Sequence, residues 1–138
     1  MFTGLHHTAL ITRDMAATTL FWRDAMGLPL TARIEPDGLK HWFFELTPGE
    51  SIAFFEFDDD LPAPVEAKRP GVLPRDGRLF DHLAIGISDL SSLDVLRARL
   101  EAHGVAVRGP VDHGICLSIY FEDPNGISVE ACVDAAAA

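Results

Sequence analysis

The sequence predicts an α+β fold of two βαβββ modules that together form an open, barrel-like cavity. Three observations carry this prediction. A pattern of strand, helix and three further strands occurs twice along the 138 residues. A stretch rich in Pro, Gly and charged residues separates the two copies. The composition, with 48% hydrophobic and 23% charged residues, is that of a globular chain long enough to bury a core.

The repeat sets the expected boundaries. We expect a single domain over 1–138, with a first module at 1–57, a linker at 58–78, a second module at 79–133 and a tail at 134–138. The linker, DDDLPAPVEAKRPGVLPRDGR, has no hydrophobic periodicity and many residues that break helices and strands.

Each module opens with an alternating strand that leads into a helix. Asp14 lies seven residues after His7, and Asp89 lies seven residues after His82. An Asp at the start of a helix accepts hydrogen bonds from the free N–H groups of the first turn. A glycine follows each helical stretch, as expected where the chain must adopt a left-handed conformation.

Three strand-like runs follow each helix, separated by turn sequences. In the first module the runs are LPLTARIE, LKHWFFEL and SIAFFEF, with PDG and TPGE between them. In the second module the runs are VAVRGPV, CLSIYFE and ISVEACV, with DPNG before the last. Pro, Asn and Gly at these points favour tight turns, so each copy reads as βαβββ.

Each module also carries a glutamate on its last strand. Glu56 follows His7 by 49 residues, and Glu130 follows His82 by 48 residues. The similar spacing suggests that the two pairs are equivalent. If the modules pack as related sheets, these four side chains can face one another across the cavity.

Charge and composition exclude several classes of partner. The formal net charge is −10, from 21 acidic and 11 basic residues, which disfavours binding to nucleic acid or to anionic membranes. The cysteines, Cys116 and Cys132, have neither the spacing of a metal site nor that of a disulfide framework. No apolar run is long enough to span a bilayer and no signal peptide is visible, so we expect a cytoplasmic protein.

Taken together, these features resemble the vicinal oxygen chelate superfamily. The resemblance runs from Leu5 to Val133 and rests on the strand histidine of each module, the Asp seven residues later and the closing DPNGISVE. That superfamily includes glyoxalase I, fosfomycin-resistance thiol transferases, bleomycin-binding proteins and type I extradiol dioxygenases. Membership would imply a small-molecule substrate that chelates a divalent metal ion through vicinal oxygen atoms.

The resemblance implies a set of metal ligands. His7, His82 and Glu130 would bind the ion, with Glu56 as a fourth ligand in a glyoxalase-like arrangement. Three such ligands leave open positions on Fe(II) or Mn(II), whereas a fourth acid suits Lewis-acid and proton-transfer chemistry. Oxygen and nitrogen ligands leave Fe, Mn, Zn, Ni and Co open as the metal. The alternative for Glu56 is a strand end that runs into solvent.

The C-terminal stretch HGICLSIYFEDPNGISVE resembles the end of extradiol dioxygenases. Tyr120 stands ten residues before Glu130, as in those enzymes, while His113 stands seven before Tyr120, about two fewer than they have. The resemblance implies that Tyr120 hydrogen-bonds a substrate oxygen and that His113 moves protons. A core aromatic and a surface histidine are the alternative interpretations.

Three functions follow from these features. The first is a dioxygenase-like metalloenzyme acting on a catecholic substrate. The second is a glyoxalase-like lyase, isomerase or epimerase that uses all four ligands, and the third is a metal-free protein that binds a drug. We expect a homodimer, because a curved sheet around a cavity leaves an edge to cover, with the metal site either inside one chain or shared between subunits.

Overall fold

The computed structural model describes residues 1–57 and 68–137. The ten residues between these ranges belong to the predicted linker, and the last residue, Ala138, belongs to the predicted tail. Both lie outside the described residues. The predicted module boundaries therefore stay a prediction.

The chain divides into two compact units, Met1–Pro62 and Ala63–Ala138. Each unit contains one four-stranded sheet together with a helix from the same part of the chain. The predicted α+β class with two modules is confirmed.

The first unit follows the predicted order of elements. Its strands are β1 (His7–Thr12), β2 (Leu30–Ile34), β3 (His41–Thr47) and β4 (Glu50–Glu56), and its helix α1 (Met15–Thr19) continues into a π-helical segment (Leu20–Ala25). The strand order in the sheet is β1-β4-β3-β2. β1 pairs with β4 in parallel, while the remaining pairs are antiparallel.

The second unit repeats this topology. Its strands are β5 (Leu83–Gly86), β6 (Arg108–Asp112), β7 (Cys116–Glu122) and β8 (Ser128–Asp134), and its helix is α2 (Leu90–Ala102). The order β5-β8-β7-β6 again joins the first and last strands in parallel at one side of the sheet. In each unit the last strand is therefore central and has a neighbour on both sides.

The predicted helix starts are confirmed. The carboxylate of Asp14 accepts from the backbone N–H of Ala17 at 2.9 Å, and Asp89 accepts from Ser92 at 2.7 Å. These bonds satisfy donors that have no partner inside the helix.

The helix of the first unit differs from expectation in its second half. There the N–H of Met26 donates to the carbonyl of Phe21 at 2.8 Å, five residues back, which widens the turn. Phe21 and Trp22 are both buried, so the wider turn places two adjacent aromatic side chains in the core. The chain leaves the helix at Gly27, whose φ of 82° is readily adopted only without a Cβ.

One face of each sheet carries the core. In the first unit the indole of Trp22 lies 5.8 Å from the ring of Phe54, measured between centroids, and both are fully buried. In the second unit α2 contacts β8, and the helix residues Leu93, Leu96 and Leu100, spaced three and four apart, are buried. Because strand residues alternate, the opposite face of each sheet is left for other residues.

None of the helices formed by residues 1–57 and 68–137 is long and apolar enough to cross a membrane.

Replacing Asp89 by Ala would leave the Ser92 N–H without its side-chain acceptor. We expect the free energy of unfolding to fall by about 1 kcal/mol, as measured by urea denaturation followed by circular dichroism. Asp94→Ala is the matched control, because Asp94 is exposed on the same helix. Equal losses in the two variants would contradict the capping role of Asp89.

Candidate functional site

The register of the second sheet determines the position of Glu130. On one side Ala84 of β5 lies opposite Glu130, and on the other side Tyr120 of β7 lies opposite it. Paired residues of neighbouring strands share a face, so Ala84, Glu130 and Tyr120 point to the same side of the sheet. His82 comes two residues before Ala84 and meets Glu130 on that side.

His82 and Glu130 are in direct contact. The imidazole Nε2 of His82 lies 2.8 Å from the Oε2 of Glu130, and its Nδ1 lies 2.6 Å from the Oδ1 of Asp81. His82 therefore has a carboxylate at each ring nitrogen. The hydrogen bond with His82 holds the pKa of Asp81 well below its usual value, with the Lys68 ammonium as the second side-chain contributor.

Glu130 is buried, with 7% of its surface exposed. Its second oxygen, Oε1, accepts a hydrogen bond of 2.5 Å from the hydroxyl of Ser118, which is also buried. A charged carboxylate that accepts such a bond is fixed in orientation. Glu130 therefore presents Oε2 to His82.

Tyr120 and His113 are also brought together, despite their shortened spacing in the sequence. The Nε2 of His113 lies 2.7 Å from the Tyr120 hydroxyl oxygen. Burial raises the pKa of Tyr120 to about 12, and the hydrogen bond and charge of Glu130 act in the same direction. A phenol with an ordinary pKa of about 10 is already protonated at neutral pH, and the raised pKa extends that state to higher pH, so the hydroxyl is able to donate a hydrogen bond.

In the first unit His7 belongs to an aromatic cluster on the sheet face opposite the core. Its ring lies 5.5 Å from that of Phe43 and 6.3 Å from that of His41. His7 is exposed, and its Nδ1 lies 2.8 Å from the Nδ1 of His6. The cluster is completed by Phe55, on which His41 stacks at 3.6 Å between ring centroids.

His41 is a residue that the sequence did not identify as part of a site. Its side chain is only 7% exposed, and its Nε2 has no hydrogen-bond partner within residues 1–57 and 68–137. Burial lowers the pKa of His41, and the nearby His7 adds to this effect. The only signal in the sequence was its residue type, since the alternation of β3 does not distinguish a site residue from a core residue.

The strand registers identify the first-unit counterpart of Glu130. Ala84 pairs with Glu130 in the second sheet, and Ala9 pairs with Ala53 in the first. Since Ala9 and Ala84 each lie two residues after the strand histidine of their unit, the counterpart of Glu130 is Ala53. The spacing along the chain suggested Glu56 as the equivalent of Glu130, whereas the strand registers give Ala53.

Glu56 lies on the other face of the first sheet from His7. It pairs with Thr12, whereas His7 pairs with Ser51, and an odd shift in register changes the face. Oε1 of Glu56 accepts from the N–H of Met15 at 2.7 Å, and Oε2 is bound by the ammonium of Lys40. Both oxygens are therefore occupied at the start of α1.

Within the described residues, no three His, Cys, Asp or Glu side chains are grouped as a ready metal-binding set. The assignment of His7, His82, Glu130 and Glu56 as ligands stays a prediction. So do the catalytic roles of Tyr120 and His113. What the second unit brings together by itself is the buried Glu130 carboxylate with the His82 imidazole, and the Tyr120 phenol with a second imidazole, that of His113.

Comparisons with known proteins agree on one family. The family model of the Glyoxalase/Bleomycin resistance protein/Dioxygenase superfamily matches residues 4–131. A crystal structure of a glyoxylase/bleomycin resistance protein/dioxygenase domain from Frankia sp. EAN1pec aligns with a TM-score of 0.78 at 24% identity, covering 97% of this chain and 93% of that one. At that identity the alignment supports the fold.

Two relatives differ in how much of their length this chain matches. A lactoylglutathione lyase from Haemophilus influenzae is 26% identical over 90% of this chain and 87% of the relative. Biphenyl-2,3-diol 1,2-dioxygenase 2 from Rhodococcus globerulus is 27% identical over 62% of this chain and 47% of the relative. The chain therefore spans about half the length of that dioxygenase.

Tyr120 is the single tyrosine of the chain, so tyrosinate absorbance reports on it alone. In the folded protein we expect a titration midpoint of about 12, against about 10 in the denatured chain. Glu130→Gln should lower the folded midpoint only partway, because burial is the larger cause.

The same shift has a consequence for stability. Between these two midpoints the folded state keeps a proton that the unfolded chain has lost, so the free energy of unfolding should fall as the pH rises through this window. A folded midpoint equal to the denatured one would contradict the burial and charge effects assigned to this site.

Proposed function

We propose that this chain, which belongs to the Glyoxalase/Bleomycin resistance protein/Dioxygenase superfamily, is a dioxygenase-like metalloenzyme. Its substrate would be a small molecule that chelates a divalent metal ion through vicinal oxygen atoms. The observation that carries the proposal is the contact of His82 with Glu130 on the sheet face that also holds Tyr120 and His113.

The donor atoms suit a divalent ion. His82 and Glu130 would supply an imidazole nitrogen and a carboxylate oxygen, which are typical ligands of Fe(II), Mn(II) and related ions. A neutral imidazole has one N–H, so it cannot donate to carboxylates at both ring nitrogens. A cation held at Nε2 would satisfy Glu130 and leave the N–H at Nδ1 for Asp81.

We propose His7 as the third ligand and leave Glu56 out of the set. His7 precedes Ala9 as His82 precedes Ala84, so the two histidines are equivalent in register. The position equivalent to Glu130 is Ala53, which has no ligating atom. The resulting set of two histidines and one carboxylate leaves coordination positions open for a chelating substrate.

When bound, such an ion would supply Lewis-acid chemistry to the vicinal oxygens of the substrate. The residues of the chain would position the substrate and handle its protons. Tyr120, protonated at neutral pH, would donate a hydrogen bond to a substrate oxygen. His113, in contact with the Tyr120 hydroxyl, would exchange a proton with it.

The aromatic cluster around His7 supports a planar substrate. Phe43, Phe55 and His41 offer ring surfaces and one nitrogen without a partner among the described residues. Mostly apolar walls with a few polar groups are typical of small-molecule sites.

We further propose that the protein is a homodimer, since exposed apolar side chains such as Leu79 and Ile115 are surface that a second copy would cover. We also propose that it is cytoplasmic.

The second candidate is a glyoxalase-like lyase. The observation in its favour is the match to lactoylglutathione lyase along nearly the whole of both chains. Ala53 weighs against it, because the four-ligand arrangement needs a second acid. Conversion of methylglyoxal and glutathione to S-lactoylglutathione, rather than cleavage of catechols, would favour this candidate.

We expect Mn²⁺ affinity to depend on Glu130 and not on Glu56. Removing a residue that only hydrogen-bonds to a metal ligand lowers metal affinity roughly 10- to 100-fold. Since His82 and Glu130 would bind the ion directly, His82→Ala and Glu130→Ala should lose more Mn²⁺ affinity than this in titration calorimetry. Glu56→Ala should keep its affinity but lose about 1–3 kcal/mol of stability, because the Met15 N–H loses its acceptor. Equal loss of Mn²⁺ affinity in Glu56→Ala and Glu130→Ala would instead support the four-ligand centre.

Catalysis is tested by anaerobic reconstitution with Fe(II) followed by exposure of simple catechols to O₂. Both oxygen atoms enter the ring-opened product, so no separate reductant is required, and the product is yellow. We expect turnover with the unmodified chain, a large loss of kcat in Tyr120→Phe and no turnover in Glu130→Ala. A protein that binds metal but leaves every catechol intact would refute the dioxygenase proposal.

A further inference from the structure

Asp81 links His82 to a buried lysine. Its Oδ1 lies 2.6 Å from Nδ1 of His82, and its Oδ2 lies 2.6 Å from the ammonium of Lys68. The backbone N–H of Gly71 donates to the same carboxylate, at 3.0 and 3.1 Å from its two oxygens. Both oxygens of the Asp81 carboxylate therefore have partners, and one of these partners is His82, the proposed metal ligand.

We propose that Asp81 is a positioning residue that keeps the proton of His82 on Nδ1 and so frees Nε2 for a metal ion, with Lys68 holding Asp81 in place. The metal part of this inference rests on the proposed function. The part that concerns the position of the proton holds for the protein without metal.

The chemistry of the imidazole determines which nitrogen is free. A carboxylate is an acceptor only and a neutral imidazole has one N–H, so His82 donates to Asp81 or to Glu130 but not to both. The contact with Asp81 is the shorter, at 2.6 Å against 2.8 Å for Glu130, so we place the hydrogen on Nδ1. The lone pair of the neutral ring then lies on Nε2, which is the nitrogen 2.8 Å from Glu130. Histidines that bind metal commonly donate their other N–H to a carboxylate in this way, which fixes both tautomer and ring orientation.

The anchoring of Asp81 depends on Lys68. The Asp81 side chain is 44% exposed and would sample several rotamers if nothing held it. Lys68 is only 3% exposed, and its ammonium also donates to the carbonyl of Arg69 at 2.6 Å. A buried ammonium needs charged or polar partners, so Lys68 and Asp81 fix each other and carry the constraint to His82.

The chain supplies a matched control in the same segment. Asp76 forms an ion pair with Arg78 at 2.7 Å. Like Asp81, it lies outside the strands and helices. Asp76→Ala removes the same charge from the same stretch without touching His82. A role of Asp81 that merely closes this stretch would be shared by Asp76.

The first measurement uses the full chain without metal. Long-range ¹H–¹⁵N correlation spectra of the labelled histidines report the tautomer of His82 at a pH where its ring is neutral, with His82→Gln identifying its signals. We expect the Nδ1–H form in the unmodified chain and in Asp76→Ala. In Asp81→Ala the proton should move to Nε2, toward Glu130, and Lys68→Met should shift the population the same way but less.

The second measurement is Mn²⁺ affinity by calorimetry. We expect Asp81→Ala to weaken binding roughly 10- to 100-fold, Lys68→Met to weaken it less, and Asp76→Ala to leave it unchanged. Asp81→Asn keeps the size of the side chain and a weaker acceptor, so in both measurements it should fall between the unmodified chain and Asp81→Ala. If Asp81→Ala does not fold, Asp81→Asn is used in its place.

The outcomes separate the two proposals. An Nε2–H tautomer in the unmodified chain, or equal effects of Asp81→Ala and Asp76→Ala, would overturn the role of Asp81. Failure of the unmodified chain to bind Mn²⁺, with the tautomer shift still present, would refute the proposed metal site and the metal part of this inference while leaving the positioning of the proton intact.

Discussion

The candidate site depends on the parallel pairing of the first and last strands of the second sheet. This pairing makes β8 an interior strand, with β5 on one side and β7 on the other. Glu130 consequently receives partners from both neighbours, His82 near the start of β5 and Ser118 on β7. A glutamate on an edge strand would have partners on one side only, and its carboxylate would turn to solvent.

Placing a carboxylate at an interior position has an energetic cost that the neighbours offset. Removing one partner of a buried charge costs several kcal/mol, whereas a hydrogen bond to a charged group contributes about 1.5–3 kcal/mol. The Ser118 hydroxyl supplies one such bond to Glu130. The negative charge of Glu130 in turn adds to the effect of burial in opposing ionisation of the Tyr120 phenol.

Much of the fold was predictable because its signals are local. Asp14 and Asp89 cap their helices as residue type and position indicated, and Gly104 adopts the left-handed φ, at 76°, that a residue after a helix requires. The strand-like runs and the turn residues between them were enough to predict the strands, although β6 begins at Arg108, three residues into the run VAVRGPV. The π-helical segment after Thr19 was not predictable, since it depends on how Phe21 and Trp22 pack and not on the propensity of any one residue.

The site was less predictable, because its partners depend on register and on chain outside regular elements. Ala53 follows His7 by 46 residues and Glu130 follows His82 by 48, since the connections between strands differ in length while the pairing does not. Counting residues along the chain therefore selected Glu56, which is on the opposite face.

Asp81 illustrates the other limit of sequence reasoning. Strand alternation would send Asp81 and His82 to opposite faces, but both precede β5, which starts at Leu83, so the backbone is free to bring their side chains together. The duplicated topology thus determines which strand positions of the two units are equivalent. The irregular segments and the residue types at those positions, such as Ala53 opposite Ala9, determine which polar side chains meet there.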